Sequence, residues 1–187
     1  MAVLEETRTR RFTAEEVLRM VESGVLSEDE PYELLDGRLI VMSPQGPERQ
    51  TVAERLRRLL EAAYGGQGHT RTHSTIHGGA DALPEPDVAV LRGPVDDYLH
   101  RLPEGSDLLL VVEVSRTTQS ADRAKAAVYA RAGVPVYWLV DLATRRVEVR
   151  TEPLLEGRYA RLETHSEADH LPVPGTGTTL PIRDLLP

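Results

Sequence analysis

Apolar residues first recur at helical spacing in Val17, Met20 and Val21. They follow Thr13 and Glu16, whose separation is that of a capping box, and precede Gly24, a helix stop. The pattern then turns extended: residues 32–35 and 39–42 flank Asp36-Gly37, a pair strongly disposed to a two-residue hairpin turn. A second helix is predicted over Pro47–Tyr64, with Pro47 at its start, Val52, Leu56, Leu59, Leu60 and Ala63 on one side, and Gly65-Gly66 at its end. Beyond it, residues 72–77 (THSTIH), 86–91 (PDVAVL) and 108–114 (LLLVVEV) read as extended. The last run is too continuously apolar for a solvent-facing strand and belongs in the middle of a sheet. Residues 120–132 are helical up to Gly133, residues 136–140 form another buried strand, and weaker strands at 146–151 and 159–162 lead into a Pro-rich end. This order predicts an α/β or α+β fold, a sheet with helices on its faces.

Neither a repeat nor a linker divides the 187 residues, so a single domain over residues 1–187 is expected. The longest apolar runs are too short to span a membrane, and the opening MAVLEETRTRRF lacks the apolar stretch of a signal peptide. A cytoplasmic protein is the expectation. The absence of cysteine excludes disulfides, thiolate metal sites and a cysteine nucleophile. The chain also has no asparagine, 13 prolines and a single lysine, Lys125, which suggests a heat-adapted or GC-biased source. A net charge of −8 argues against a general nucleic-acid coat but leaves room for a local DNA groove or a carboxylate-lined magnesium site.

The chemistry concentrates in two core strands. Asp87 opens one, and Glu113 interrupts the other near its end. If the strands pair antiparallel, the two acids converge at one edge of the sheet. A charge inside so apolar a strand is costly unless it is paired or bound to a cation. Lys125 can supply part of that charge: at about 100° per residue it falls on the same helix side as Ala121, Ala124, Val128 and Ala132, which faces the sheet. A structural ion pair, or a lysine whose stem covers core while its head reaches water, would satisfy the same pattern. Glu33 in the hairpin either adds a third acid or lies on an edge strand facing solvent. Two carboxylates and a lysine suit metal-assisted phosphodiester hydrolysis, because oxygen ligands select a hard ion such as Mg²⁺, for which Mn²⁺ can substitute. Lysine can also orient or help deprotonate water, a proton transfer that arginine does not perform.

Four stretches carry a family resemblance: residues 32–44 (YELLDGRLIVMSP), 84–90 (PEPDVAV), 110–115 (LVVEVS) and 122–141 (DRAKAAVYARAGVPVYWLVD). In this order they resemble the Uma-type restriction endonuclease family over about residues 12–151, leaving 152–187 as C-terminal strands and a Pro-rich tail. The resemblance implies the restriction-endonuclease-like fold of the PD-(D/E)XK superfamily, a mixed central sheet flanked by helices with a carboxylate-held divalent metal, and DNA as substrate. Asp87 matches the aspartate of the PD element and Glu113 the acid of the (D/E)XK element. Ser115 stands where that motif has its lysine, which in this family moves to the next helix, matching Lys125. Glu33 matches a hairpin glutamate placed at the same site. Arg49 departs from a histidine usual in the family, and the stretch between Glu113 and Lys125 is one residue shorter than in many relatives. These departures keep open a second function, a non-catalytic nucleic-acid-binding or assembly protein on a decayed nuclease scaffold. A phosphohydrolase acting on small nucleotides is a third.

Other features carry less. His69, His73 and His77 repeat every four residues, but on the strand expected there they would spread over about 13 Å, too far for one ion, leaving a solvent-facing or groove role. Residues 175–179 (GTGTT) and 65–68 (GGQG) read as turns without nucleotide-loop spacing. Arg55, Arg57 and Arg58, like Arg145 and Arg146, are expected on solvated faces with carboxylate neighbours. Tyr137 and Trp138 read as core or interface aromatics. Superfamily analogy and the apolar 136–140 run make a homodimer an expectation.

Overall fold

A computed structural model describes residues 9–27, 30–116 and 119–187. Residues 1–8, which carry most of the N-terminal stretch considered above, lie outside them, as does the side chain of Ala121. The first helix, α1 (Ala14–Glu22), starts on the expected capping box: Glu16 N–H donates to Thr13 Oγ1 at 3.1 Å and Thr13 N–H to Glu16 Oε2 at 3.0 Å. Next, β1 (Tyr32–Leu35) and β2 (Arg38–Val41) pair antiparallel about Asp36 and Gly37, both left-handed with φ of 48° and 73°. That backbone is the hairpin turn that Asp-Gly favours. α2 (Pro47–Tyr64) ends on left-handed Gly65.

A six-stranded sheet follows in the order β3-β4-β5-β6-β7-β8. Its strands are β3 (Gly68–Arg71), β4 (Val88–Arg92), β5 (Leu108–Ser115), β6 (Val136–Asp141), β7 (Arg146–Leu154) and β8 (Arg158–Ser166). All neighbours are antiparallel except β5 and β6, which are parallel and joined through α3 (Gln119–Arg131). The sheet is therefore mixed, as expected, and β5 and β6 lie at its centre. Because side chains alternate across a strand, the central strands feed two cores. Val112, Val114, Trp138 and Val140 pack with α2 on one face, whereas Val111, Tyr137 and Leu139 pack with Ala126 and Tyr129 of α3 on the other. A smaller cluster joins α1 to the hairpin through Ala14, Val17, Leu34 and Leu83.

One expectation is corrected here. Residues 72–77 do not form a strand. Pro84 and Pro86 opposite them have no N–H to donate, so only intermittent bonds form, such as His73 N–H to Pro86 O and Ile76 N–H to Pro84 O; the ladder with β4 is made by β3 instead. The Pro-rich end is structured. Its β9 (His170–Pro172), β10 (Thr179–Pro181) and α4 (Ile182–Leu185) deliver Leu171, Leu180, Ile182 and Leu185 to the α2-side core. The apolar run at residues 136–140 is β6, a central strand buried within the chain, as expected. Among the described residues no helix is long and apolar enough to cross a membrane.

Candidate active site

Asp87 immediately precedes β4, and the register Val88↔Val112 puts Glu113 of β5 alongside it, the antiparallel convergence that the sequence pattern required. The placement is fixed by a side chain: Val114 N–H donates to Asp87 Oδ2 at 2.7 Å. Both carboxylates are fully buried. On the α3 side, Lys125 Nζ lies 2.9 Å from Glu113 Oε1 and 2.7 Å from Glu33 Oε1, with only 4% of its side chain exposed. The hairpin thus carries Glu33 inward rather than to a solvent-facing edge, and Glu85 N–H holds its Oε1 at 2.7 Å.

Lys125 faces the sheet as expected, but the buried stripe of α3 is centred differently. Lys125, Ala126, Val128 and Tyr129 are buried while Ala124 is exposed, because Tyr129 and Ala126 pull the contact face around the helix. Tyr129, one turn beyond Lys125, donates its hydroxyl to Glu113 Oε1 at 2.6 Å.

The opposite side of the carboxylates is closed by the segment entering α2. Arg49 in its first turn reaches Asp87 Oδ2 through Nε at 3.0 Å and NH2 at 2.9 Å, and the same NH2 lies 3.5 Å from Glu113 Oε2. Gln45 Nε2 donates to Asp87 Oδ1 at 3.0 Å. His73 Nδ1 is 3.6 Å from that oxygen and 3.3 Å from Gln45 Nε2. His73 holds a left-handed backbone, φ 46°, uncommon for a residue with a side chain and concentrated at functional sites. Glu33, Gln45, Arg49 and His73 line one cavity of about 220 Å³.

Of the residues singled out in the sequence, Glu33, Arg49, Asp87, Glu113 and Lys125 therefore meet. Ser115 does not join them: it is buried, but its hydroxyl has no hydrogen-bond partner among the described residues. The histidines part company, with His73 at the site, His69 Nδ1 3.0 Å from Gly93 O, and His77 beside Glu104. Arg57 and Arg58 pair with Glu54, and Arg145 with Glu167, as solvated-face arginines do. Gln45 and Tyr129 were not identified as site residues from the sequence, and His73 was given only a solvent-facing or groove role. Of the first two, Tyr129 left a signal, its i+4 spacing from the lone lysine.

Electrostatically, three buried carboxylates face two cations. Burial raises the Glu113 carboxyl above its ordinary range; Asp87 and Glu33 add to the shift and Lys125 opposes it. Burial likewise raises Glu33, against Lys125. For Lys125, burial works to lower the pKa, but Glu113 and Glu33 override it and raise it, so the ammonium stays protonated. Burial and the neighbouring Glu113 hold the Tyr129 phenol protonated as a donor.

The donor set suits a hard divalent cation. Its carboxylates and the Gln45 amide offer oxygen, and two buried acceptors, Glu33 Oε2 and Gln45 Oε1, have no hydrogen-bond partner among the described residues. Among those residues no group of three or more His, Cys, Asp or Glu side chains is placed to hold a metal ion; a divalent ion such as Mg²⁺ can be bound through one or two carboxylates.

The same fold occurs in a crystal structure from Anabaena variabilis titled "a putative nuclease belonging to DUF820", which is 19% identical, with a TM-score of 0.72 and coverage of 93% of this chain and 97% of that one. No curated protein is significantly similar. The family whose pattern fits extends over residues 14–183, from α1 through every carboxylate of the site into α4, and is described as "Putative restriction endonuclease"; the chain belongs to this family, Uma2.

Proposed function

We propose that the chain is a metal-dependent DNA endonuclease whose site is the Glu33, Asp87, Glu113 and Lys125 cluster. The observation that carries this reading is the pairing of two fully buried carboxylates, Asp87 and Glu113, around one shared cation position beside a buried lysine. Asp87 and Glu113 would hold Mg²⁺ or Mn²⁺, which supplies Lewis-acid stabilisation of charge on the phosphate oxygens. Hydrolysis adds water across a P–O bond, leaving a phosphate monoester and a hydroxyl.

Lys125, kept charged by two carboxylates, stabilises negative charge and orients water rather than acting as the base. Tyr129 fixes the Glu113 oxygen that Lys125 also holds, leaving the other oxygen toward the cleft. Gln45 orients Asp87 from the cavity side. Arg49 favours a second reading, a nucleic-acid-binding protein on a nuclease scaffold, because its fork already neutralises the pair.

Plasmid nicking with Mg²⁺ and Mn²⁺ separates them. Asp87→Asn and Glu113→Gln keep acceptor oxygens for Val114 N–H and Tyr129, so the sheet survives while charge is lost. A nuclease loses about 100-fold or more of its metal-dependent cutting in both variants, the scale of losing electrostatic stabilisation of a transition state. Unchanged cutting refutes the assignment of the site, and DNA binding without cutting in the native protein favours the second reading.

A further inference from the structure

The hydrogen-bond capacity of the two carboxylates is unevenly committed. A carboxylate offers about four lone-pair positions. Asp87 takes three hydrogen bonds, from Gln45 on Oδ1 and from Val114 N–H and Arg49 Nε on Oδ2, and Arg49 NH2 lies 2.9 Å from Oδ2 as an ion-pair contact. Glu113 Oε1 already takes Lys125 and Tyr129, whereas Oε2 faces Arg49 NH2. The backbone donor from Val114 cannot leave without breaking the sheet. Withdrawing Arg49 is the one rearrangement of a side chain that frees Asp87 Oδ2 and Glu113 Oε2 together, and those two oxygens flank a single point.

Room for that withdrawal exists. Ser43, Pro44, Gln45 and Arg49 line both the 220 Å³ cavity and an adjoining one of about 270 Å³, which is also lined by Gly46, Glu48 and Arg116. The Arg49 side chain is 19% exposed, unlike the fully enclosed acids it touches. Gly46, at the entry to α2, has no neighbour that even an added Cβ would meet. A +1 guanidinium and a +2 ion cannot share the same two oxygens in a buried site without strong repulsion.

Resting on the metal-dependent reading above, we propose that Arg49 is a tethered cation that fills the ion position between Asp87 and Glu113 in the metal-free chain and, displaced into the adjoining cavity when a divalent ion enters, becomes the residue that grips the substrate phosphate. A planar fork is suited to bidentate phosphate contact. Metal and a phosphodiester therefore bind cooperatively, since each favours the withdrawn arginine.

The test is Mn²⁺ binding, followed by the electron paramagnetic resonance of the free ion, in the native chain, R49Q and R49H, with and without a phosphorothioate DNA duplex that resists cleavage. Both variants are expected to bind Mn²⁺ alone about tenfold more tightly than the native chain, within the usual range of such couplings. The duplex should tighten Mn²⁺ binding in the native chain and lose that effect in R49Q. This native-chain measurement stands even if a variant fails to fold. If the folded variants bind Mn²⁺ no more tightly, and the duplex leaves native affinity unchanged, the displacement is overturned. If that occurs while Asp87→Asn abolishes Mn²⁺ binding, the metal site survives without it. No Mn²⁺ binding in the native chain or either folded variant overturns both.

Discussion

Replacing Lys125 with methionine removes one charge from the centre of the site while preserving most of the side chain's length. The ammonium bridges Glu113 and Glu33 at 2.9 and 2.7 Å, and its side chain is 4% exposed, so solvent cannot replace it. Breaking a buried ion pair by removing one partner costs about 3–5 kcal/mol. The lower end applies here, because Glu113 retains Tyr129 and Arg49, and Glu33 retains the Glu85 N–H. At this chain length, about 3 kcal/mol corresponds to a melting-temperature loss of roughly 6–12 °C.

The loss should also depend on pH. Burial raises the Glu113 and Glu33 carboxyls above their values in the unfolded chain, and Lys125 partly offsets both shifts. A carboxyl raised on folding favours the native state at low pH, where it is protonated, and that contribution disappears as pH rises through the folded value. Without Lys125 both carboxyls move further up, so the extra penalty opens only as pH rises past the native chain's own raised values, about 8 for Glu113, with a slope of up to about 1.4 kcal/mol per pH unit for each proton involved. Urea denaturation of both proteins on either side of that value measures it. A variant within about 1 kcal/mol of the native protein at every pH would refute the claim that this lysine is the principal counter-charge of the buried acids.

Two other substitutions probe the supports of the site. Tyr129→Phe removes the hydroxyl 2.6 Å from Glu113 Oε1 but keeps the ring against Tyr137; it should cost about 2 kcal/mol in chemical denaturation, the value of a hydrogen bond to a charged acceptor. Gly105→Ala would set a Cβ 1.6 Å from the Ala132 carbonyl oxygen, so the end of α3 must move; a loss of about 3 kcal/mol, seen as a lower melting temperature, is expected, and an unchanged melt would contradict the close approach.

The residues that were legible in the sequence are those whose type conflicts with their surroundings. Glu113 stands out because it breaks an apolar run, and Lys125 because the chain's one lysine lies on a helix face turned to the sheet. Asp87 follows once the two strands are paired antiparallel. Glu33 could be placed only by family resemblance, since a glutamate in a hairpin strand looks the same whether it points in or out. Gln45 and His73 lie in irregular segments, where no periodicity says which way a side chain turns; their positions are set by the Arg49 turn and by proline-interrupted pairing between residues 72–77 and 82–86. The C-terminal strands, three residues each, are too short to show alternation, so their share of the core could not be read from their prolines and glycines.

The hydrogen bond from Val114 N–H to Asp87 Oδ2 has a consequence for how the chain reaches its native state. If β5 slipped by one residue against β4, Glu113 would turn to the face occupied by Trp138 and Val140, while Val112 and Val114 would turn toward Lys125. Such a chain would leave Asp87 without its amide, strand a carboxylate among apolar groups and leave Lys125 unmatched, three penalties arising from a single error. The polar cluster thus discriminates against misregistered intermediates at the centre of the sheet. Assembly of the carboxylates and correct pairing of the central strands become the same folding event.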